Sequence, residues 1–94
     1  MLYMMQWSIK SDDYDKAHDR FLKAGAPMPE GSTSLGRWHA PGSVKGWLLV
    51  ETDRPEALYA HAAEWGDVLS WETTPVLTDE QAGASSVEGR GLRP

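Results

Sequence analysis

Apolar residues recur along this chain with two different periods, and the order in which those periods alternate leaves few folds open. From Leu2 to Ile9 the period is two: Tyr3, Met5, Trp7 and Ile9 fall on one side of an extended chain, with Leu2, Met4, Gln6 and Ser8 on the other. Over residues 12–25 the period becomes helical. Tyr14, Ala17, Phe21 and Leu22 repeat on one face, and Asp15, Lys16, Asp19 and Lys23 are left for water. Ser11, Asp12 and Asp13 offer side-chain oxygens to the first turn; Gly25 stops the helix, and Pro27 and Pro29 prevent its resumption.

Period two returns over 33–40 and 44–52, and the Pro41-Gly42 turn between them makes the pair an antiparallel hairpin. "DRPEALYAHAAEWG" is the second helix, with Leu58, His61 or Ala62, and Trp65 turned inward. Asp53 and Glu56 stand at capping-box spacing there, and Gly66 ends the run. The last strand, "VLSWETTPVL", contains Pro75, which suits a sheet edge. The order β-α-β-β-α-β, with right-handed crossovers, predicts a ferredoxin-like α+β sandwich: a four-stranded antiparallel sheet with both helices on one face. The domain is expected to span 1–82. Thr78 to Gln81 can start one more short helix, and the Gly-, Ser- and Arg-rich composition of 83–94 predicts a flexible tail.

Two helices leave the second face of such a sheet uncovered, so strand phase decides what lies there. Phasing each strand by its apolar set puts Leu2, Met4, Gln6 and Ser8 on the open face. Leu35, Arg37 and His39 join them, with Lys45, Trp47, Leu49 and Glu51, and then Ser70, Glu72 and Thr74. Trp7, Trp38, Trp65 and Trp71 are expected in the core. The open face is then too apolar to stay wet yet carries several convergent polar groups, which is the composition of a small-molecule pocket or a subunit interface. The expected ligand-binding residues are Gln6, Arg37, His39, Trp47, Glu51 and Glu72. His39 is the candidate for catalysis, because histidine exchanges a proton near neutral pH, and Arg37 can clamp a carboxylate with two parallel hydrogen bonds. His39, Glu51 and Glu72 are compatible metal ligands by type, but no metal-binding spacing is present and no metal site is expected. His18 is expected to be exposed on its helix.

Fourteen acidic against nine basic residues give a net charge of −5, which disfavours nucleic acid and anionic membranes as partners. The chain has no cysteine, so disulfides and thiolate chemistry are excluded. Its first ten residues lack the features of a signal peptide, and a cytoplasmic protein is expected. No phosphate loop or dinucleotide fingerprint occurs, and no cofactor is expected.

The strings "MLYMMQWSIK", "AHDRFLKAGAPMPEG", "LGRWH" and "LVETDRPEALYAHAAEWGDVLSWETTPVLT" resemble a bacterial family of short uncharacterised proteins grouped with the dimeric α+β barrels. The resemblance implies that two protomers pack their sheets face to face as a homodimer. It also implies kinship with a superfamily that includes cofactor-independent monooxygenases, lactone isomerases and haem-handling enzymes. It assigns no catalytic residue. Three readings are open: a homodimer binding a small organic molecule at the sheet face, a structural or assembly dimer with no ligand, and a cofactor-independent monooxygenase or isomerase with His39 as base and Arg37 as its carboxylate or oxyanion partner.

Overall fold

Each stretch with period two becomes a strand and each helical stretch a helix, as the computed structural model of residues 1–94 describes them. The elements are β1 (Leu2–Ile9), α1 (Tyr14–Ala24), β2 (Ser32–His39), β3 (Lys45–Thr52), α2 (Pro55–Glu64), β4 (Leu69–Val76) and α3 (Asp79–Gly91). The sheet order is β2-β3-β1-β4, with every neighbouring pair antiparallel. This is the ferredoxin-like arrangement, extended by a third helix. Pro75 sits in β4, an edge strand, where a missing amide costs no ladder bond on the open side. No helix is long and apolar enough to cross a membrane.

The helices bury one face of the sheet through two adjoining clusters. Met5, Leu48 and Val50 pack against Leu58 of α2, while Trp7 and Leu69 meet Ala17 of α1 together with Trp65 and Val68. The alternation inferred for β1, β3 and β4 is therefore the one observed.

In β2 the inferred phase is corrected. Ser34 stands opposite Val50, but Gly36 stands opposite Leu49, so Leu35 is an extra residue in the ladder. A bulge of this kind inverts the side-chain alternation beyond it. Arg37 then pairs with Leu48 and His39 with Gly46, both on the helix-covered face, while Trp38 pairs with Trp47 on the open face. Trp38 is 53% exposed rather than part of the core. Gly36 lies beneath its ring, where a Cβ would collide with the indole.

The caps also differ from those expected. Asp13 makes no side-chain cap, and α1 begins from a backbone turn through Asp12, whose φ is +69°. At α2 the Asp53–Glu56 box does not form. The buried Thr52 hydroxyl accepts the Arg54 amide at 2.9 Å and donates to the Gly31 carbonyl at 2.7 Å instead. A capping box does form at α3, where the Thr78 hydroxyl accepts from the Gln81 amide and the Gln81 side chain accepts from the Thr78 amide. The segment from Gly83, expected as a tail, continues this helix to Gly91, and none of its residues is buried.

Candidate ligand-binding site

Packing of α1 on the sheet is incomplete. Its inward side presents Tyr14, Ala17, His18 and Phe21, and of its residues only Ala17 is buried. Between this helix and the sheet lies a cavity of about 450 Å³, within the range of small-molecule sites. Trp7 and Ile9 of β1, Arg37 and His39 of β2, and Leu69 and Trp71 of β4 form its floor. His61 of α2 and Trp65 close one side.

The walls are mainly aromatic. The His39 ring meets Trp7 edge-on at 5.3 Å between centroids and Phe21 at 5.6 Å, and His61 meets Trp71 at 5.4 Å. Tyr14 and His18 lie 4.1 Å apart, so His18 turns toward the helix–sheet gap rather than to solvent. Among these rings Arg37 carries the only full positive charge, and no aspartate or glutamate lines the cavity. Its Nη2 donates to the Ala26 carbonyl at 2.8 Å, and the guanidinium lies 5.9 Å from the Phe21 ring centre. None of the ion pairs in the molecule involves it. Loss of hydration holds its pKa below the ordinary value, the sign of a cation without compensation.

Four side-chain nitrogens are buried without a hydrogen-bond partner: His18 Nε2, His61 Nδ1, Trp65 Nε1 and Trp71 Nε1. All four belong to residues that line this one cavity. An unsatisfied buried polar group typically costs about 1–3 kcal/mol, so four of them around one cavity leave hydrogen-bonding capacity there that the protein itself does not fill.

His61 is 1% exposed. Burial lowers its pKa from the ordinary 6.5; Glu64 opposes the shift and Arg37 adds to it. The unfolded chain therefore takes up this proton more readily, so His61 favours the fold fully above pH 6.5 and that contribution is lost as pH falls below it. In urea unfolding, the wild-type midpoint is expected to drop more between about pH 7 and pH 5 than that of His61→Leu. Equal drops would remove His61 from the account.

The bulge divides the expected site residues between two faces. Arg37 and His39 lie in the cavity, while Gln6, Trp47, Glu51 and Glu72 lie on the far side of the sheet. There Gln6 stands opposite both Trp47 and Glu72, and the Met1 amino group holds Glu51 at 2.8 Å. His39 is thereby separated from Glu51 and Glu72, and no three acidic or histidine side chains converge to hold a metal. Pattern reading missed His18, Phe21, Trp65 and Trp71 as cavity residues. His61 left a signal, being a histidine in the inward stripe of Leu58, His61 and Trp65.

Residues 1–90 match the model of a domain of unknown function, DUF3303. Over 42 residues, 45% of the chain, the sequence is 38% identical to 2,3-bisphosphoglycerate-independent phosphoglycerate mutases of two strains of Cereibacter sphaeroides, and it spans 8% of their length. No solved structure matches the chain.

Proposed function

We propose that this chain, which belongs to the DUF3303 family, binds a small organic molecule in the cavity between α1 and the sheet. The observation that carries the reading is an unpaired guanidinium, Arg37, on the wall of an aromatic void of about 450 Å³. A cavity of this size leaves its apolar lining to water, and a desolvated cation adds a further cost. A ligand that fills the one and neutralises the other recovers both.

The five tryptophans supply the test, because they are split between the two faces of the sheet. Trp7, Trp65 and Trp71 line the cavity, whereas Trp38 and Trp47 pair on the open side. Titration with a naphthalene-sized probe, followed through the indole N–H signals in nitrogen–proton correlation spectra, is expected to move the first three and leave the other two in place. Movement of none of the three by any such probe would end the reading.

A second observation favours a second copy of the chain as partner for the open face. Met4 pairs with Leu49, and Trp38 with Trp47, so Met4, Leu49, Trp47 and Trp38 form one apolar run across three strands. Covering that run with its own copy gives a homodimer of the barrel type, with the ligand cavities on the outer sides. Sedimentation equilibrium is expected to give a dimer for the wild type and a monomer for Trp47→Glu. A wild-type monomer at NMR concentrations would refute it.

A further inference from the structure

We infer that the molecule taken into this cavity is a planar aromatic acid, with its carboxylate received by Arg37 and its rings held among Trp7, Phe21 and Trp71. The inference rests on the ligand-binding reading above and adds the charge and shape of the ligand.

Charge is the first argument. The chain holds 14 acidic and 9 basic residues, so cations are scarce and partners for them plentiful. Of the basic side chains only Lys16, Arg20 and Arg54 find a carboxylate, and Lys10, Lys23, Lys45, Arg90 and Arg93, which do not, are exposed to water. Arg20 and Arg37 are the two that are half-buried; Arg20 is met by Asp67, and Arg37 by no carboxylate. A guanidinium has five N–H donors in a rigid fork, and only Nη2 is engaged, on the Ala26 carbonyl. The remaining donors match the two oxygens of a carboxylate, the partner whose geometry the fork fits best. Were Arg37 only a strap joining β2 to the end of α1, that one bond would suffice, and a neutral amide would serve without the cost of a desolvated charge.

Shape is the second argument. The His39 ring meets Trp7 and Phe21 edge-to-face, with centroids 5.3 and 5.6 Å away, and the three bound the space beside Arg37 with flat surfaces. Such walls favour a ring system over a flexible chain. His39 alternates with Arg37 along β2 and faces the same space, so an imidazole N–H gives the acid a second donor. Acceptor oxygens elsewhere on the ligand suit this lining as well. The indole N–H groups of Trp65 and Trp71 can only donate, and both lack partners.

The test uses 2-naphthoate and its uncharged isostere 2-naphthamide, with the full chain and the indole signals as readout. Naphthoate is expected to bind at least tenfold more tightly than the amide and to move Trp7, Trp65 and Trp71. Arg37→Met is expected to erase the tenfold preference by weakening naphthoate far more than the amide, and Arg37→Lys to restore part of it, with circular dichroism confirming that each variant folds. Equal affinity of the wild type for acid and amide at those three tryptophans would overturn the aromatic-acid assignment and leave the cavity reading standing. A preference unchanged in Arg37→Met, or signals moving only at Trp38 and Trp47, would also overturn the assignment. Silence of all three cavity indoles toward both probes would remove the ligand-binding reading itself.

Discussion

Gly46→Ala is expected to lower the stability of the domain by about 3 kcal/mol, the upper part of the range for overpacking. A Cβ at this position would overlap the Trp7 indole and lie 2.5 Å from the Trp38 carbonyl oxygen. Trp7 is 7% exposed and packed in the cluster of Ala17, Trp65, Val68 and Leu69, so its ring can yield only toward the cavity and at the expense of those contacts. The carbonyl belongs to the adjacent strand, and moving it pulls β2 away from β3. For a domain of this size the loss corresponds to a fall of about 12–24 °C in Tm. Gly36→Ala is the control: its Cβ meets the Trp38 ring, which is 53% exposed and free to swing outward. That variant should cost about 1 kcal/mol or less. Thermal unfolding by circular dichroism separates the two, and a Gly46→Ala midpoint near that of Gly36→Ala would refute the overpacking.

Ala17→Leu is expected to act in opposite directions on stability and on binding. Ala17 is 5% exposed, belongs to the same cluster as Trp7, and stands on the cavity wall. Its added carbons enter a void rather than packed space, and each buried methylene contributes about 0.8 kcal/mol before side-chain entropy is subtracted. A net gain of roughly 1 kcal/mol, and a Tm higher by about 4–8 °C, should accompany at least a tenfold loss of naphthoate affinity. An overpacked core loses stability as well, so the combination of signs identifies a cavity being filled. Unchanged affinity in a stabilised variant would place the ligand elsewhere.

The fold was legible because its evidence was spread over many residues. Eight-residue strands and helices bounded by Gly25 and Gly66 carry enough repeats for the period to survive a few exceptions. The site was not, because it depends on one residue. In the sequence, alternation along β2 looks unbroken, and the inserted Leu35 inverts it between Ser34 and Gly36. Arg37 and His39 share a face in the pattern and in the fold, but the bulge makes it the helix-covered one. Phase in β1, β3 and β4 was readable because each of those strands has a distinctly more apolar side. Strand β2, at the sheet edge with Ser32, Thr33 and Ser34 leading in, has no such side. The cap of α2 was hidden for a related reason: Thr52 reaches it from the end of a strand, and sequence spacing does not show which way that hydroxyl turns. Helix α3 announced its start at Thr78 but offered no apolar stripe by which to follow it to Gly91.

One surplus residue in an edge strand thus decides what the two sides of this molecule are made of. Parity, more than chemistry, assigns a guanidinium to the interior and an indole to the outside, since deleting Leu35 would exchange them without altering another side chain. Substitutions nearby can be absorbed one at a time, whereas a change of length in this short run would turn the strand inside out. Among kindred chains, the number of residues between Ser32 and Arg37 is therefore a sharper guide to a shared interior than the identity of any residue between them.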